Sequence, residues 1–183
     1  MSGEKNNKEI IDPKSDRQQW LRLNGTALAA AVVLALLGCI YAPVTLIYNT
    51  AGMGMLLLRF VLLLICAAAY FFAYEYIRAA AIEKISGEKA VKLPDKPLAS
   101  AVPNRSLTFK EYLKISFVPV LLLGAVLLIL MFILPVRFFW QVYIIQIINL
   151  AGAAGDVYIA YKLYKLKGAA RIEYDGSAVI IKN

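Results

Sequence analysis

Histidine is absent from this chain of 183 residues, and only 17% of the residues are charged. Without imidazole, the chain has no histidine ligand for a metal ion. The two cysteines, Cys39 and Cys66, have the spacing neither of metal ligands nor of a disulfide framework, and we interpret them as small buried apolar residues. Soluble domains carry about 25% charged residues, so the low charge excludes an ordinary soluble domain.

Long uncharged segments account for this composition, which is 61% hydrophobic. They are Asn24–Leu58, Phe60–Tyr74, Ile115–Val136 and Phe138–Gly155. About 20 apolar residues are needed to cross the hydrocarbon core of a bilayer as a helix. The fold class predicted is therefore an all-α polytopic membrane protein with four transmembrane helices, a cytoplasmic middle loop and a small C-terminal β-hairpin. The spans are expected near residues 26–47, 55–77, 115–135 and 139–163.

Basic residues follow this predicted topology. All of them except Arg59 and Arg137 lie in the N-terminal flank, the middle loop or the C-terminal flank. Positively charged loops stay on the cytoplasmic side, so we expect both termini and the middle loop to be cytoplasmic in the inner or plasma membrane. The net charge of +8 is then explained by the topology, because the basic residues lie beside the lipid bilayer. The bilayer is the expected partner, and no binding of nucleic acid is expected. The polar N-terminus also lacks the pattern of a cleavable signal peptide.

Three regions are predicted along the chain. Residues 1–19 are polar and are expected to form a disordered cytoplasmic tail. Residues 20–168 form the transmembrane domain, whose middle loop is followed by a capping box of Thr108 and Glu111 that starts a helix. Residues 169–183 form a cytoplasmic tail in which Asp175-Gly176 predicts a hairpin turn.

Charged and amide side chains occur at the same depth in the second and fourth spans. Glu75 lies about 20 residues into its span and Asp156 about 17, so at about 1.5 Å per residue they reach similar levels. Helical spacing places Asn149 and Asp156 on one face, and Glu75 and Arg78 on another. We therefore expect an inward cluster of these four residues. The alternative is a solvated Glu75–Arg78 pair at the headgroups, which would contribute little.

The chain resembles the bacterial four-span zincin peptidases of domain-of-unknown-function family 3267, which are distantly similar to site-2 intramembrane proteases. The last span carries Asn149-Leu-Ala-Gly-Ala-Ala-Gly-Asp156, which is similar to the family's Asn-x-x-Gly-x-x-Gly-Asp-like motif. The segment Tyr74-Glu75-Tyr76-Ile77-Arg78 aligns with its His-Glu-x-x-His motif. The resemblance implies zinc as cofactor, Glu75 as the counterpart of the catalytic glutamate and Asp156 as a third ligand.

Both histidines of that motif are replaced here, by Tyr74 and Arg78. Two imidazoles one helical turn apart hold the zinc in such proteins, and arginine cannot bind a cation. We therefore expect no bound zinc and no confident catalytic residue, with Tyr74, Glu75, Arg78, Asn149 and Asp156 as a vestigial site.

The function predicted is that of a catalytically inactive pseudo-peptidase, acting as a binding or regulatory protein for a membrane partner or substrate. Two alternatives remain open: an active membrane hydrolase with an atypical metal site, and a small transporter or channel subunit. The sequence does not determine the oligomeric state.

Overall fold

The computed structural model describes residues 8–11, 17–43, 52–92, 101–165, 171–174 and 179–182. In this part of the chain, four helical segments are long and apolar enough to cross a membrane, as predicted. The first three segments are formed by α1 (Arg17–Tyr41), α2 (Gly52–Ser86) and α3 (Phe109–Ile133). The fourth segment contains two helices, α4 (Phe139–Gly152) and α5 (Ala154–Lys165). A 3-10 turn, Val136–Phe138, joins α3 to α4.

The ends of α1, α2 and α3 follow from local signals. Helix α1 ends at Tyr41, short of the predicted residue 47, because the residue before Pro43 is disfavoured in a helical conformation. Helix α2 ends at Ser86, before Gly87, which has a φ of 73° that suits glycine. At the start of α3, the Thr108 hydroxyl accepts from the Glu111 backbone N–H, and a Glu111 carboxylate oxygen accepts from the Thr108 backbone N–H, which confirms the capping box.

The fourth span, predicted at residues 139–163, lies within one helical segment, Val136–Lys165, that is long enough to cross a membrane. The helix of this span is interrupted at Ala153, which separates α4 from α5. Gly152 and Gly155 lie on either side of the break, and each glycine weakens a helix by about 1 kcal/mol relative to alanine. The glycines on either side of Ala153 therefore favour an interruption of the helix at this point.

Short strands accompany the helices. Strands β4 (Arg171–Tyr174) and β5 (Val179–Lys182) pair antiparallel as predicted, although their connecting turn at Asp175-Gly176 lies outside the described residues. Strand β1 (Lys8–Ile11) pairs with β5 to give the order β1-β5-β4. Strands β2 (Val91–Lys92) and β3 (Ala101–Val102) form a second pair within the middle loop.

The structure describes two parts of the N-terminal region that was predicted as a disordered tail. Residues 8–11 form β1, in register with residues 179–182, and α1 already begins at Arg17. The polar composition suggested disorder, but backbone hydrogen bonds to β5 supply an ordering contact far along the chain. The sheet itself is anchored to the helices, because Ile172 and Leu107 exchange backbone hydrogen bonds of 2.9 and 2.7 Å and both are buried.

The two cysteines are less buried than expected. Cys39 is exposed on α1 and Cys66 is half-buried on α2. Both helices carry apolar side chains around most of their surface, as a lipid-facing helix does, so an apolar residue there need not face the protein interior.

Helix α4 packs against both α1 and α3, and α2 packs mainly on α3. The contact with α1 centres on Gly38, which lies under the ring of Tyr143. The Tyr143 hydroxyl donates to the Leu34 carbonyl at 2.6 Å. Because Gly38 is one turn after Leu34 and has no Cβ, the tyrosine can reach this carbonyl.

Replacing Gly38 with leucine should therefore lower the free energy of unfolding by about 1–3 kcal/mol, the usual effect of overpacking. Gly25→Leu is the matched control on the same helix, because no atom lies within 4 Å of a Cβ added there. The free energy of unfolding of both variants is measured in mild detergent. Equal loss of stability in the two variants would contradict this account of the α1–α4 contact.

Candidate functional site

One face of α2 carries the polar residues singled out in the sequence. Tyr70, Tyr74 and Arg78 follow one another at intervals of four residues, so they form a row along the helix. The side chain of Arg78 is buried, with 9% of its surface exposed, whereas Tyr76 on the opposite face is 78% exposed. Tyr74 and Glu75 are half-buried. The row therefore faces other helices and not the surroundings.

The facing residues come from α4 and α5. Asn149 is 1% exposed and lies one turn before the break at Ala153. Asp156 lies in the first turn of α5, where the positive end of a helix dipole stabilises a carboxylate. Because the helix is interrupted at Ala153, a second helix begins at Ala154, and the positive end of its dipole lies near the negative charge of Asp156.

Asn149 connects three helices. Its Oδ1 accepts a hydrogen bond of 2.9 Å from the Tyr70 hydroxyl on α2, and its Nδ2 donates to the Val120 carbonyl on α3 at 3.0 Å. Gly124 makes this approach possible, because a Cβ at that position would lie 3.0 Å from the same Nδ2. Both ends of the amide are therefore satisfied inside the bundle.

Asp156 is surrounded by polar groups from two helices. Its carboxylate lies near the Arg78 guanidinium of α2, and the hydroxyls of Ser116 and Tyr112 of α3 are close to it. Ser116 and Tyr112 are each 2% exposed. Tyr74 lines the same cavity as Asp156, Arg78 and Glu75.

These residues surround a cavity of about 520 Å³ between α2 and the α4–α5 break. The cavity is lined by all five residues that the sequence analysis singled out and by five apolar or aromatic neighbours: Tyr74, Glu75, Arg78, Asn149, Asp156, Tyr70, Phe71, Ile148, Ala151 and Gly152. Volumes of this size are typical of ligand sites. The structure thus places the five residues together in one cavity.

Sequence reasoning missed Tyr70, Ser116 and Tyr112. Tyr70 could have been found from the row that it forms with Tyr74 and Arg78. Tyr112 and Ser116 are also four residues apart, so they share a face of α3. Nothing in the sequence says that this face meets Asp156, because that depends on how α3 packs against α5.

A family model described as "Putative zincin peptidase" matches residues 68–170, more than half of the chain. The chain belongs to this family. The matched range contains both the α2 row and the segment from Asn149 to Asp156, which are the two sides of the cavity. No curated protein and no solved structure matches the chain.

The residues in the cavity do not fit the zinc ion of a zincin. Within the residues that the structure describes, no group of three or more histidine, cysteine, aspartate or glutamate side chains could hold a metal ion. Of the cavity's ionisable side chains, only Glu75 and Asp156 are ligands that zinc commonly takes in proteins. Arg78 adds a positive charge beside Asp156, which disfavours a cation there.

Replacing Asn149 with alanine should lower the free energy of unfolding by about 1–3 kcal/mol, because it leaves the Tyr70 hydroxyl without its acceptor in a buried place. Asn24→Ala is the control, since the Asn24 amide donates to the Trp20 carbonyl on the exposed surface of α1. We expect a change below about 0.5 kcal/mol there. If both substitutions lower the free energy of unfolding in detergent by similar amounts, the buried hydrogen bonds of Asn149 do not contribute more to stability than the exposed one of Asn24.

Replacing Arg78 with alanine should destabilise the protein by about 1–3 kcal/mol, because the half-buried Asp156 carboxylate then loses the cation that lies near it. Adding Asp156→Asn to that variant should restore part of the loss, since the remaining partner no longer carries a charge. Lys84→Ala, at an exposed position of the same helix, controls for removing a cation. If the double variant is no more stable than Arg78→Ala alone, the attraction between Arg78 and Asp156 does not contribute to stability.

Proposed function

We propose that this member of the zincin family is a pseudo-peptidase, which retains the fold and the site cavity of a membrane peptidase without zinc hydrolysis. One observation carries the proposal. The cavity that would contain the metal has Tyr74 and Arg78 where the resemblance expects histidines, and the Arg78 guanidinium lies near Asp156, the expected third ligand. A cation fixed to the chain thus lies beside a carboxylate that would otherwise bind a metal cation.

The cavity then serves for binding. Its wall combines aromatic and apolar side chains with the charged groups of Glu75, Arg78 and Asp156. Ligand sites have this composition, in which apolar surface supplies affinity and a few polar groups fix the orientation. The proposed role is to bind a membrane partner or substrate without cleaving it, which makes the protein a regulatory or binding component of its membrane.

Metal analysis of the purified protein tests this proposal. The unchanged protein should contain no stoichiometric zinc, and Tyr74→His with Arg78→His should gain zinc that a further Asp156→Asn removes, because the pair restores two imidazoles one turn apart beside a carboxylate.

The matched control is Tyr76→His with Ala80→His, which places two histidines at the same spacing on the exposed face of α2. This pair should bind zinc more weakly. Stoichiometric zinc in the unchanged protein, lost on Glu75→Gln or Asp156→Asn, would overturn the proposal in favour of an active hydrolase.

The proposal includes an orientation in the cell membrane with both termini in the cytoplasm. Basic residues supply the support, since Arg17, Arg22, Lys162 and Lys165 all lie at one end of the bundle and the 3-10 turn at the other end has only Arg137. A fluorescent protein that folds only in the cytoplasm should be bright when fused after Asn183. A dark fusion of normal abundance would contradict this orientation.

A further inference from the structure

A second cavity lies on the other side of the α4–α5 break, between that break and α1. Its volume is about 500 Å³, and Ala151 lines both this groove and the site cavity. The groove is formed largely by apolar side chains, among them Ala27, Ala30, Leu150, Ala154 and Val157. No acidic side chain lines it among the residues that the structure describes.

One end of the groove is basic. Arg22 lines it from α1, and Tyr158 and Tyr161 line it from α5. Each tyrosine ring lies near a lysine ammonium group, since Lys162 Nζ is 5.9 Å from the Tyr158 ring centroid and Lys165 Nζ is 4.7 Å from that of Tyr161. Three cations from two helices are therefore associated with the same end of an apolar groove.

We propose that this groove binds an anionic phospholipid, with an acyl chain between α1 and α5 and the phosphate at Arg22, Lys162 and Lys165. The apolar part of the groove matches the acyl chain of such a lipid, and its basic end matches the phosphate. Basic pockets between transmembrane helices on the cytoplasmic side are known to bind anionic head groups. A lipid in this groove contacts Ala151 and so lies directly behind the site cavity.

Native mass spectrometry of the full-length protein in detergent tests the proposal, with phosphatidylglycerol as the probe and phosphatidylcholine as the comparison lipid. We expect one phosphatidylglycerol to remain bound per chain, at least fivefold more tightly than phosphatidylcholine. Arg22→Gln should weaken phosphatidylglycerol binding about fivefold, the effect of one basic residue at an anionic surface. Arg17→Gln, on the same helix but outside the groove, should leave the affinity unchanged.

A second pair of variants tests the apolar part. Ala27→Phe fills the groove and should abolish the retained lipid, whereas Ala29→Phe, at an exposed position of α1 outside the groove, should not. Circular dichroism of both variants confirms folding, and if Ala27→Phe does not fold, the Arg22→Gln and Arg17→Gln comparison decides.

Three results would overturn the proposal. Equal affinity for the two lipids would show that the groove holds only ordinary membrane lipid. Equal losses in Arg22→Gln and Arg17→Gln would show diffuse attraction without a site. A lipid-free dimer that Ala27→Phe dissociates would assign the groove to a second copy of the chain.

Discussion

Polar contacts from α4 to backbone carbonyls of its neighbours hold this bundle together. The Asn149 amide reaches the Val120 carbonyl of α3, and the Tyr143 hydroxyl reaches the Leu34 carbonyl of α1. In both cases a glycine lies four residues after the carbonyl, Gly124 in α3 and Gly38 in α1. The missing Cβ leaves space for the side chain of α4 beside the carbonyl. In a membrane, where lipid is as apolar as a leucine side chain, such contacts and close packing substitute for the hydrophobic effect between helices.

The site depends on the same arrangement. Asn149 fixes α4 against α2 through Tyr70, and the helix restarts just before Asp156, so the carboxylate comes to lie between Arg78 and the hydroxyls of α3. Each of these groups would be costly to bury in a membrane by itself. Together they compensate one another, which explains how the chain keeps charged residues in this cavity. In the proposed pseudo-peptidase, Arg78 supplies positive charge but no Lewis acid and no bound water, so its proposed role is the electrostatic part of a metal's role and not the metal's chemistry.

The break between α4 and α5 separates two cavities of similar size but opposite character. The site cavity contains Glu75 and Asp156, whereas the groove on the other side is apolar with basic side chains at one end. Ala151 contacts both, so an occupant of one is adjacent to an occupant of the other. If the site cavity binds a partner as proposed, an occupant of the groove can influence that partner across one short stretch of helix.

The sequence alone determined the four spans, the capping box at Thr108 and five of the ten residues that line the site cavity. These depend on hydropathy, local capping and helical spacing, which act over a few residues. Tertiary structure decided the rest. Strand β1 forms only because β5 supplies hydrogen-bonding partners, and Tyr70, Ser116 and Tyr112 reach the site only because α2 and α3 pack beside α4 and α5. Those contacts join residues far apart in the chain, so no local pattern encodes them.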